Sequence, residues 1–316
     1  MKKVLLTTKL LPEGLSELKK HFEVRMPEYD IFTEDELIAL LPDYDALIPT
    51  FLFKVNTKVI DAGTKLKIIA NYGVGYNNID VEYARSKGIT VTNTPTPVTE
   101  PTAEMAFALL LAVARRISEC DRRLRIPNDL EWGLLNNLGL SVYGKTLGIV
   151  GLGRIGKAIA RRAIASGMEV VYFNRNRLAP DEEKSLQVCY ASFNELLQCS
   201  DFVSISTPLN DETHHMFDKP QFELMKQNAV LINTARGAVI NEKALVEALQ
   251  SGKLWGAGLD VYEFEPEITA ELLQLDNVVL APHNGTATID ARNAITAYAC
   301  HCIIEFFKGN MISVVN

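Results

Sequence analysis

The stretch Leu147–Gly156, L-G-I-V-G-L-G-R-I-G, constrains this chain more than any other. An apolar run from Leu147 to Val150 leads straight into Gly151-x-Gly153-x-x-Gly156, and Ile155, Ala158, Ile159, Arg162 and Ala163 then follow a helical pattern. Such a glycine motif alone is a weak signal; set between a strand and a helix it reads as a dinucleotide-binding turn. Gly151 permits the tight turn, Gly153 lets backbone approach a pyrophosphate, and Gly156 lets the helix pack closely on the strand. The free N–H groups where the helix opens, around Arg154 and Ile155, are expected to face the phosphates.

Strand and helix patterns alternate on both sides of this turn. Ahead of it, strands are expected at Val4–Thr7, Phe22–Met26, Asp45–Pro49, Leu66–Ala70 and Ile89–Val91. Between them lie helical patterns over Pro12–Lys20, from the capping box Thr33-x-x-Glu36 to Leu41, from Asn56 to near Gly63, and from Asp80 to Gly88. Beyond it, strands are expected at Leu147–Val150, Met168–Phe173, Asp201–Ser206, Ala229–Thr234, Gly256–Val261 and Asn277–Ala281, with helices over 155–166, 192–199 and 241–250. Each block predicts a parallel sheet covered on both faces. The fold class is therefore α/β, with two doubly wound parallel-sheet domains.

Asn93-Thr-Pro-Thr-Pro97 breaks the alternation and reads as a hinge. Thr99 caps a helix running to about Ile117 that is almost free of polar residues between Met105 and Ala114, so it must be buried between domains or against another subunit. Residues 119–145 read as an irregular excursion. Thr288–Phe307 reads as a long amphipathic helix with no strand after it, which returns to the first domain. The expected domains are 1–98 with 288–316, and 99–287.

A chain of 316 residues that is 47% hydrophobic and 22% charged can bury a sizeable core. Its net charge of -7 argues against a nucleic-acid partner. The five cysteines are scattered, which suits a reducing compartment, and Cys300-His301-Cys302 lies in a helical pattern where i and i+2 do not share a face. Buried thiols are expected there, and no metal. Met1-Lys-Lys precedes too few apolar residues for a secretory segment, and Ala106–Ala114 falls well short of the ~20 residues that span a bilayer. The expected location is the cytoplasm, without a membrane partner.

Ligands of open parallel sheets bind outside the C-terminal ends of the strands. There the second block places Thr207-Pro208, then Thr234-Ala235-Arg236-Gly, then Asp260 with Glu265 five residues on, and finally Pro282-His283-Asn-Gly285. A nicotinamide cofactor exchanges hydride, which leaves the protein to supply a proton and an anion clamp. His283 is the natural general acid/base, because histidine titrates near ~6.5. Glu265 is placed to fix its tautomer and Arg236 offers a planar fork to a carboxylate. The glycine loop Gly73-Val74-Gly75 is expected to add backbone N–H groups to the same carboxylate. His214-His215 does not follow a strand end and reads as a surface or interface feature.

The chain resembles the D-isomer-specific 2-hydroxyacid dehydrogenases. The motifs that carry the likeness are NYGVGYNNID at 71–80, TEPTAEMAFALLLAVARR at 99–116, GKTLGIVGLGRIG at 144–156, NTARG at 233–237, GLDVYEFEP at 258–266 and PHNGTAT at 282–288. They span most of the chain in one order. The resemblance implies a flavodoxin-like substrate domain beside a Rossmann dinucleotide domain, and Arg236, Glu265 and His283 as the catalytic set. It also implies Asp260 near the nicotinamide carboxamide, the Val74 and Gly75 amides on the substrate carboxylate, and a homodimer built around 99–145. The corepressors that share this fold and keep similar Arg, Glu and His residues are the non-enzymatic alternative, and a phosphite-oxidising relative is a further enzymatic one.

The residue after the second Rossmann strand sets the ribose contact: an acid there accepts from a 2′-hydroxyl and repels a 2′-phosphate. This chain has Asn174-Arg175-Asn176-Arg177 and no acid until Asp181. NADP(H) is therefore expected in preference to NAD(H), with Arg175 as the main phosphate contact and Arg177 second. Family members of this pattern imply a 2-oxo acid substrate, glyoxylate or hydroxypyruvate first, 2-ketogluconate next and lactate-type acids third. Leu52, within Thr50-Phe-Leu-Phe53, is expected to wall the substrate pocket, and Asn71 and Tyr76 to meet a hydroxylated tail.

Overall fold

Two parallel sheets carry the chain, for which a computed structural model describes residues 1–316. Met1–Pro101 and Thr286–Asn316 form one unit, and Thr102–Gly285 the other.

The first unit holds β1 (Lys3–Leu6), β2 (Glu23–Arg25), β3 (Ala46–Ile48), β4 (Ile68–Ala70) and β5 (Thr90–Thr92), in the order β2-β1-β3-β4-β5. All pairings are parallel, and the order is that of flavodoxin. Successive residues face opposite sides of a strand. Val4 and Leu6 accordingly pack with Ile295, Ala299 and Ile303 of the last helix, whereas Leu5 packs with Leu37, Val59 and Ile60. The caps read from the sequence are made: Thr33 and Glu36 form the capping box, Asn56 Oδ1 accepts from the Val59 amide at 3.1 Å, and Asp80 Oδ1 from that of Tyr83 at 3.0 Å. The helix expected over Pro12–Lys20 is instead a 3-10 turn at Glu13–Leu15 and a short helix at Leu18–His21, because Gly14 and Leu15 press against the last helix.

That last helix, Ile289–Phe307, is capped by Thr288 and is not the amphipathic helix expected. It is covered on more than one side, so Ala299, Cys300, Cys302 and Ile303 are all buried. Burial pushes the Cys300 thiol up to about 12 and raises that of Cys302. The residues after it run antiparallel along β5, with Val315 N donating to Val91 O at 2.9 Å and Asn316 Nδ2 to Ile89 O at 2.7 Å. This tail covers the edge of the sheet at β5.

The second unit holds β6 (Thr146–Val150), β7 (Glu169–Phe173), β8 (Cys189–Tyr190), β9 (Phe202–Ile205), β10 (Ala229–Asn233), β11 (Leu254–Leu259) and β12 (Val278–Leu280). Their order is β12-β11-β10-β9-β6-β7-β8, again all parallel. The order reverses between β6 and β9, which is the switch point where such sheets bind ligands. Leu147 and Ile149 face one cluster with Phe202, Val230 and Ile232; Val150 faces the other with Val203, Ile205 and Leu231. The apolar helix Thr99–Ala114 puts Ala103, Ala106 and Leu110 into the first of these clusters.

That helix ends three residues earlier than expected. Arg116 turns the chain with φ 52° and a second helix, Ile117–Leu124, occupies part of the segment read as irregular. Its three-residue charge run (Asp121-Arg-Arg) hid its period. Strand β8 and the helices Pro180–Leu186 and Lys219–Leu224 were also not read; each is too short for periodicity to show. No helix is long and apolar enough to cross a membrane.

Candidate active site

The glycine turn closes β6 onto the helix Arg154–Ala165. Gly151 sits at φ 98°, and a Cβ there would stand 2.7 Å from the Ser206 carbonyl oxygen. Nothing lies within 4 Å of where a Cβ of Gly153 would be. The first intrahelical bond runs from Lys157 N to Gly153 O at 2.9 Å, so the amides of Arg154, Ile155 and Gly156 precede it. Leu152 N donates to Asn174 Oδ1 at 2.7 Å and ties the turn to the end of β7. Ser206 Oγ, beside the turn, is buried without a partner. A tight turn, open space at Gly153 and unpaired helix amides together fit a pyrophosphate.

Both arginines after β7 already hold carboxylates. Arg177 makes a two-point contact with Glu183 at 2.8 Å each, the Tyr172 hydroxyl donates to the same carboxylate at 2.6 Å, and the guanidinium lies over the Tyr190 ring. Arg177 and Tyr172 bring the Glu183 carboxyl down to about 2. The fork of Arg177, the expected second phosphate contact, braces β7 and β8 against the helix Pro180–Leu186. Arg175 differs, with a single contact from Nη1 to Glu212 Oε2 at 2.6 Å between side chains 73% and 66% exposed.

The catalytic candidates come together at the ends of β10, β11 and β12. Asn233, fully buried as the last residue of β10, accepts from the Ala235 amide at 3.0 Å and donates to the Arg236 carbonyl at 3.0 Å. This fixes the Thr234–Arg236 turn. A Cβ on Gly237 would overlap the Tyr262 carbonyl, so only glycine lets the Arg236 backbone lie against residues 262–263. Glu265 Oε1 accepts from Tyr262 N at 2.9 Å and Glu265 Oε2 pairs with His283 Nδ1 at 2.7 Å. Burial raises the Glu265 carboxyl, but the bond to His283, the His283 charge, the Tyr262 amide and Arg236 outweigh it and hold it below the usual range. An ionised carboxylate only accepts hydrogen bonds, so Nδ1 carries the hydrogen. Burial lowers the Arg236 guanidinium, against the raising effect of Glu265.

Asp260, 2% exposed, accepts from Asn284 N and Gly285 N, both at 2.8 Å. Its carboxyl is raised by burial and lowered by those two amides. The two bonds anchor the loop in which His283 takes φ 49°, a left-handed conformation that costs a side-chain-bearing residue about 1–3 kcal/mol. Asp260 thus holds the His283 loop, a role the sequence reading did not assign. Asn233 and Tyr262 were likewise missed, since an asparagine ending a strand and a tyrosine amide carry no motif of their own.

The remaining candidates are placed as follows. Thr207 donates its hydroxyl to the Pro208 carbonyl at 2.9 Å, and Thr234 is buried at the end of β10. In the first unit, Leu52 is 62% exposed and Val74 36%. Asn71 is 1% exposed and donates to the carbonyls of Gly73 at 3.1 Å and Gly75 at 2.9 Å. It shapes the glycine loop from within, which corrects its expected contact with a substrate tail; Tyr76 remains 39% exposed. His214 is exposed and His215 half-buried, in keeping with a surface pair; His215 Nε2 pairs with Glu263 Oε1 at 2.6 Å and its ring stacks on His214 at 4.0 Å.

The model of the D-isomer specific 2-hydroxyacid dehydrogenase NAD-binding domain matches residues 107–285. A glyoxylate reductase of Thermococcus onnurineus is 45% identical over 315 residues, covering 98% of this chain and 94% of the relative. Among solved structures, a glyoxylate reductase from Paecilomyes thermophila superposes with TM-score 0.89 at 33% identity, covering 99% of this chain and 98% of that one. An NADPH-dependent glyoxylate/hydroxypyruvate reductase from Sinorhizobium meliloti, in complex with NADP and malonate, does so with TM-score 0.87 at 33% identity, covering 99% and 96%. With a matching family model over the strand ends that carry Arg236, Glu265 and His283, and relatives alike over nearly its whole length, the chain belongs to the D-isomer-specific 2-hydroxyacid dehydrogenases and is an enzyme of that family.

Proposed function

We propose that this enzyme reduces a small 2-oxo acid to the D-2-hydroxy acid, with glyoxylate or hydroxypyruvate ahead of 2-ketogluconate, and with NADPH preferred over NADH. The observation that carries the reading is the His283 Nδ1–Glu265 pair at 2.7 Å with the Arg236 charge acting on the same carboxylate. The named activities of the Thermococcus and Sinorhizobium relatives support the substrate class.

A nicotinamide held at the glycine turn would supply hydride to C2 of the substrate. His283 Nε2 gives its proton to the carbonyl oxygen, which becomes the hydroxyl, and the imidazole is left neutral. Glu265 stabilises the imidazolium before that transfer and keeps Nε2 turned to the substrate. Arg236 holds the substrate carboxylate by its planar fork, and partial burial strengthens that contact. The Val74 and Gly75 amides, which make no hydrogen bond within their own loop, and Leu52 are the first unit's own candidate substrate contacts. Gly151, Gly153, Arg154, Ile155 and Gly156 would hold the pyrophosphate, Thr207, Thr234, Ala235, Asp260 and Gly285 the nicotinamide half, and Arg175 the 2′-phosphate.

The test is oxidation of NADPH and NADH, followed by absorbance, against glyoxylate, hydroxypyruvate, 2-ketogluconate and pyruvate. Turnover of one of the first three with NADPH is expected. Turnover with pyruvate alone overturns the substrate assignment, and turnover with NADH alone overturns the cofactor preference.

We also propose a homodimer. Trp132, Leu134, Leu135 and Tyr143 are 87%, 93%, 79% and 77% exposed, and such large apolar side chains within the expected dimer segment support a subunit contact there. Sedimentation is expected to show a dimer and Trp132→Asp to weaken it; a wild-type monomer would overturn the assignment.

A further inference from the structure

We propose that Glu212 sets the discrimination between NADP(H) and NAD(H) by competing with the 2′-phosphate for Arg175. This rests on the assignment of Arg175 to the 2′-phosphate above.

The sequence offers two guanidinium groups after β7, and the fold separates them into two kinds. Arg177 is held at two points by a buried carboxylate that Tyr172 also binds, so it has little freedom to turn to a ligand. Arg175 is held at one point by Glu212, and both side chains are largely exposed. Exposed single-contact pairs contribute little and exchange readily. Arg175 is thus the arginine of the two that can answer to a phosphate, and Glu212 is the group it must leave or share.

Glu212 is not on a loose arm. Its amide and that of Thr213 both donate to Asn210 Oδ1, at 3.0 and 3.1 Å, and Thr213 Oγ1 donates to Pro208 O at 2.7 Å. These bonds fold residues 208–213, after β9, into a turn that presents Glu212. Strand β6 lies between β7 and β9, so the ion pair links the two loops that flank the glycine turn. In NAD-binding sheets the acid that accepts from the ribose 2′-hydroxyl and repels a 2′-phosphate stands after the second strand. Here that position holds Asn174-Arg175, and a carboxylate reaches the same place from the loop after β9. The chain therefore brings a cation that attracts the 2′-phosphate and an anion that opposes it to one spot. A phosphate on Arg175 meets the like charge of Glu212 about one guanidinium away, and a 2′-hydroxyl does not.

Direct binding of NADPH and NADH, followed by nucleotide fluorescence on wild type, Glu212→Gln and Arg175→Gln, tests this without reference to turnover. Glu212→Gln is expected to lower the Kd for NADPH about 2- to 5-fold, the range of an exposed ion pair, and to leave that for NADH within about 2-fold. Arg175→Gln is expected to raise the Kd for NADPH about tenfold. NADH binding and the melting temperature show that each variant is folded. If Glu212→Gln changes both nucleotides alike, or neither, while Arg175→Gln still weakens NADPH, the competition is refuted and the Arg175 assignment stands. If Arg175→Gln leaves NADPH binding unchanged, that assignment falls and the inference with it.

Discussion

Two histidine–glutamate pairs lie in the second unit with nearly the same local geometry. His283 meets Glu265 at 2.7 Å and His215 meets Glu263 at 2.6 Å, and both histidines are left-handed, at φ 49° and 51°. Their surroundings differ. Glu265 has Arg236 and Asp260 as charged neighbours and follows the end of β11. Glu263 is paired with a second carboxylate: Glu242 N donates to Glu263 Oε2 at 3.0 Å, Glu263 N to Glu242 Oε1 at 2.7 Å, and Thr269 closes on Glu242. The oxygens of Glu263 are thus all engaged, and its bonds clamp residues 262–269 to the start of the helix Glu242–Gln250. In the proposed mechanism the His283–Glu265 pair transfers a proton because a strand end also supplies a cation, Arg236, for the substrate. Elsewhere the same pair is a clasp.

The largest effect should separate the two histidines. His283→Asn is expected to cut kcat/KM for the 2-oxo acid by about 10²–10⁴-fold, the usual worth of a positioned acid, and His215→Asn by less than tenfold. Equal losses in steady-state kinetics would erase the distinction.

Arg236→Lys keeps the charge and removes the fork. About a 10- to 100-fold rise in KM for the 2-oxo acid is expected, because a charged hydrogen bond contributes about 1.5–3 kcal/mol. An unchanged KM would take Arg236 out of the carboxylate clamp.

The two glutamates should fail in opposite ways. Glu263→Gln leaves partners of the clasp unsatisfied and is expected to lower stability by about 1–3 kcal/mol, read as a fall of several degrees in Tm. Glu265→Gln is expected to lower kcat with a smaller change in Tm. A catalytic loss from Glu263→Gln with Tm intact would make the clasp part of the chemistry.

The smallest effect is in the pH dependence of stability. The Glu265 carboxyl is held below its ordinary value of 4.5 in the folded state. Its contribution is therefore whole above that pH and is lost as the pH falls below it. The Tm difference between wild type and Glu265→Gln should shrink on going from pH 6 to pH 3. A difference that stays constant over that span would mean the carboxylate is not held by its partners.

Much of this enzyme was legible in the sequence, for physical reasons that can be named. The glycine turn at 151–156, the caps at Thr33, Asn56 and Asp80, and the strands of both sheets follow local rules: steric freedom, orphan amides and the period of buried residues. The convergence of Arg236, Glu265 and His283 was legible because each follows a strand in a parallel sheet, and such ends lie together. One partnership was legible, that of Glu265 with His283. Others were not: Asp260 also anchors the His283 loop, Asn71 braces its own loop, and Arg177 is paired with Glu183.

By itself, then, the sequence determined the doubly wound architecture, the dinucleotide turn and the set of residue types at the strand ends, all of which depend on neighbours a few positions away. Apart from Glu265 and His283, only the tertiary structure decided which carboxylate faces which cation or imidazole. Those pairings join Arg175 to Glu212 across 37 positions and His215 to Glu263 across 48, and no local rule reaches that far. A charge's role depends on what it meets in space, and that is set by the order in which the strands lie in the sheet.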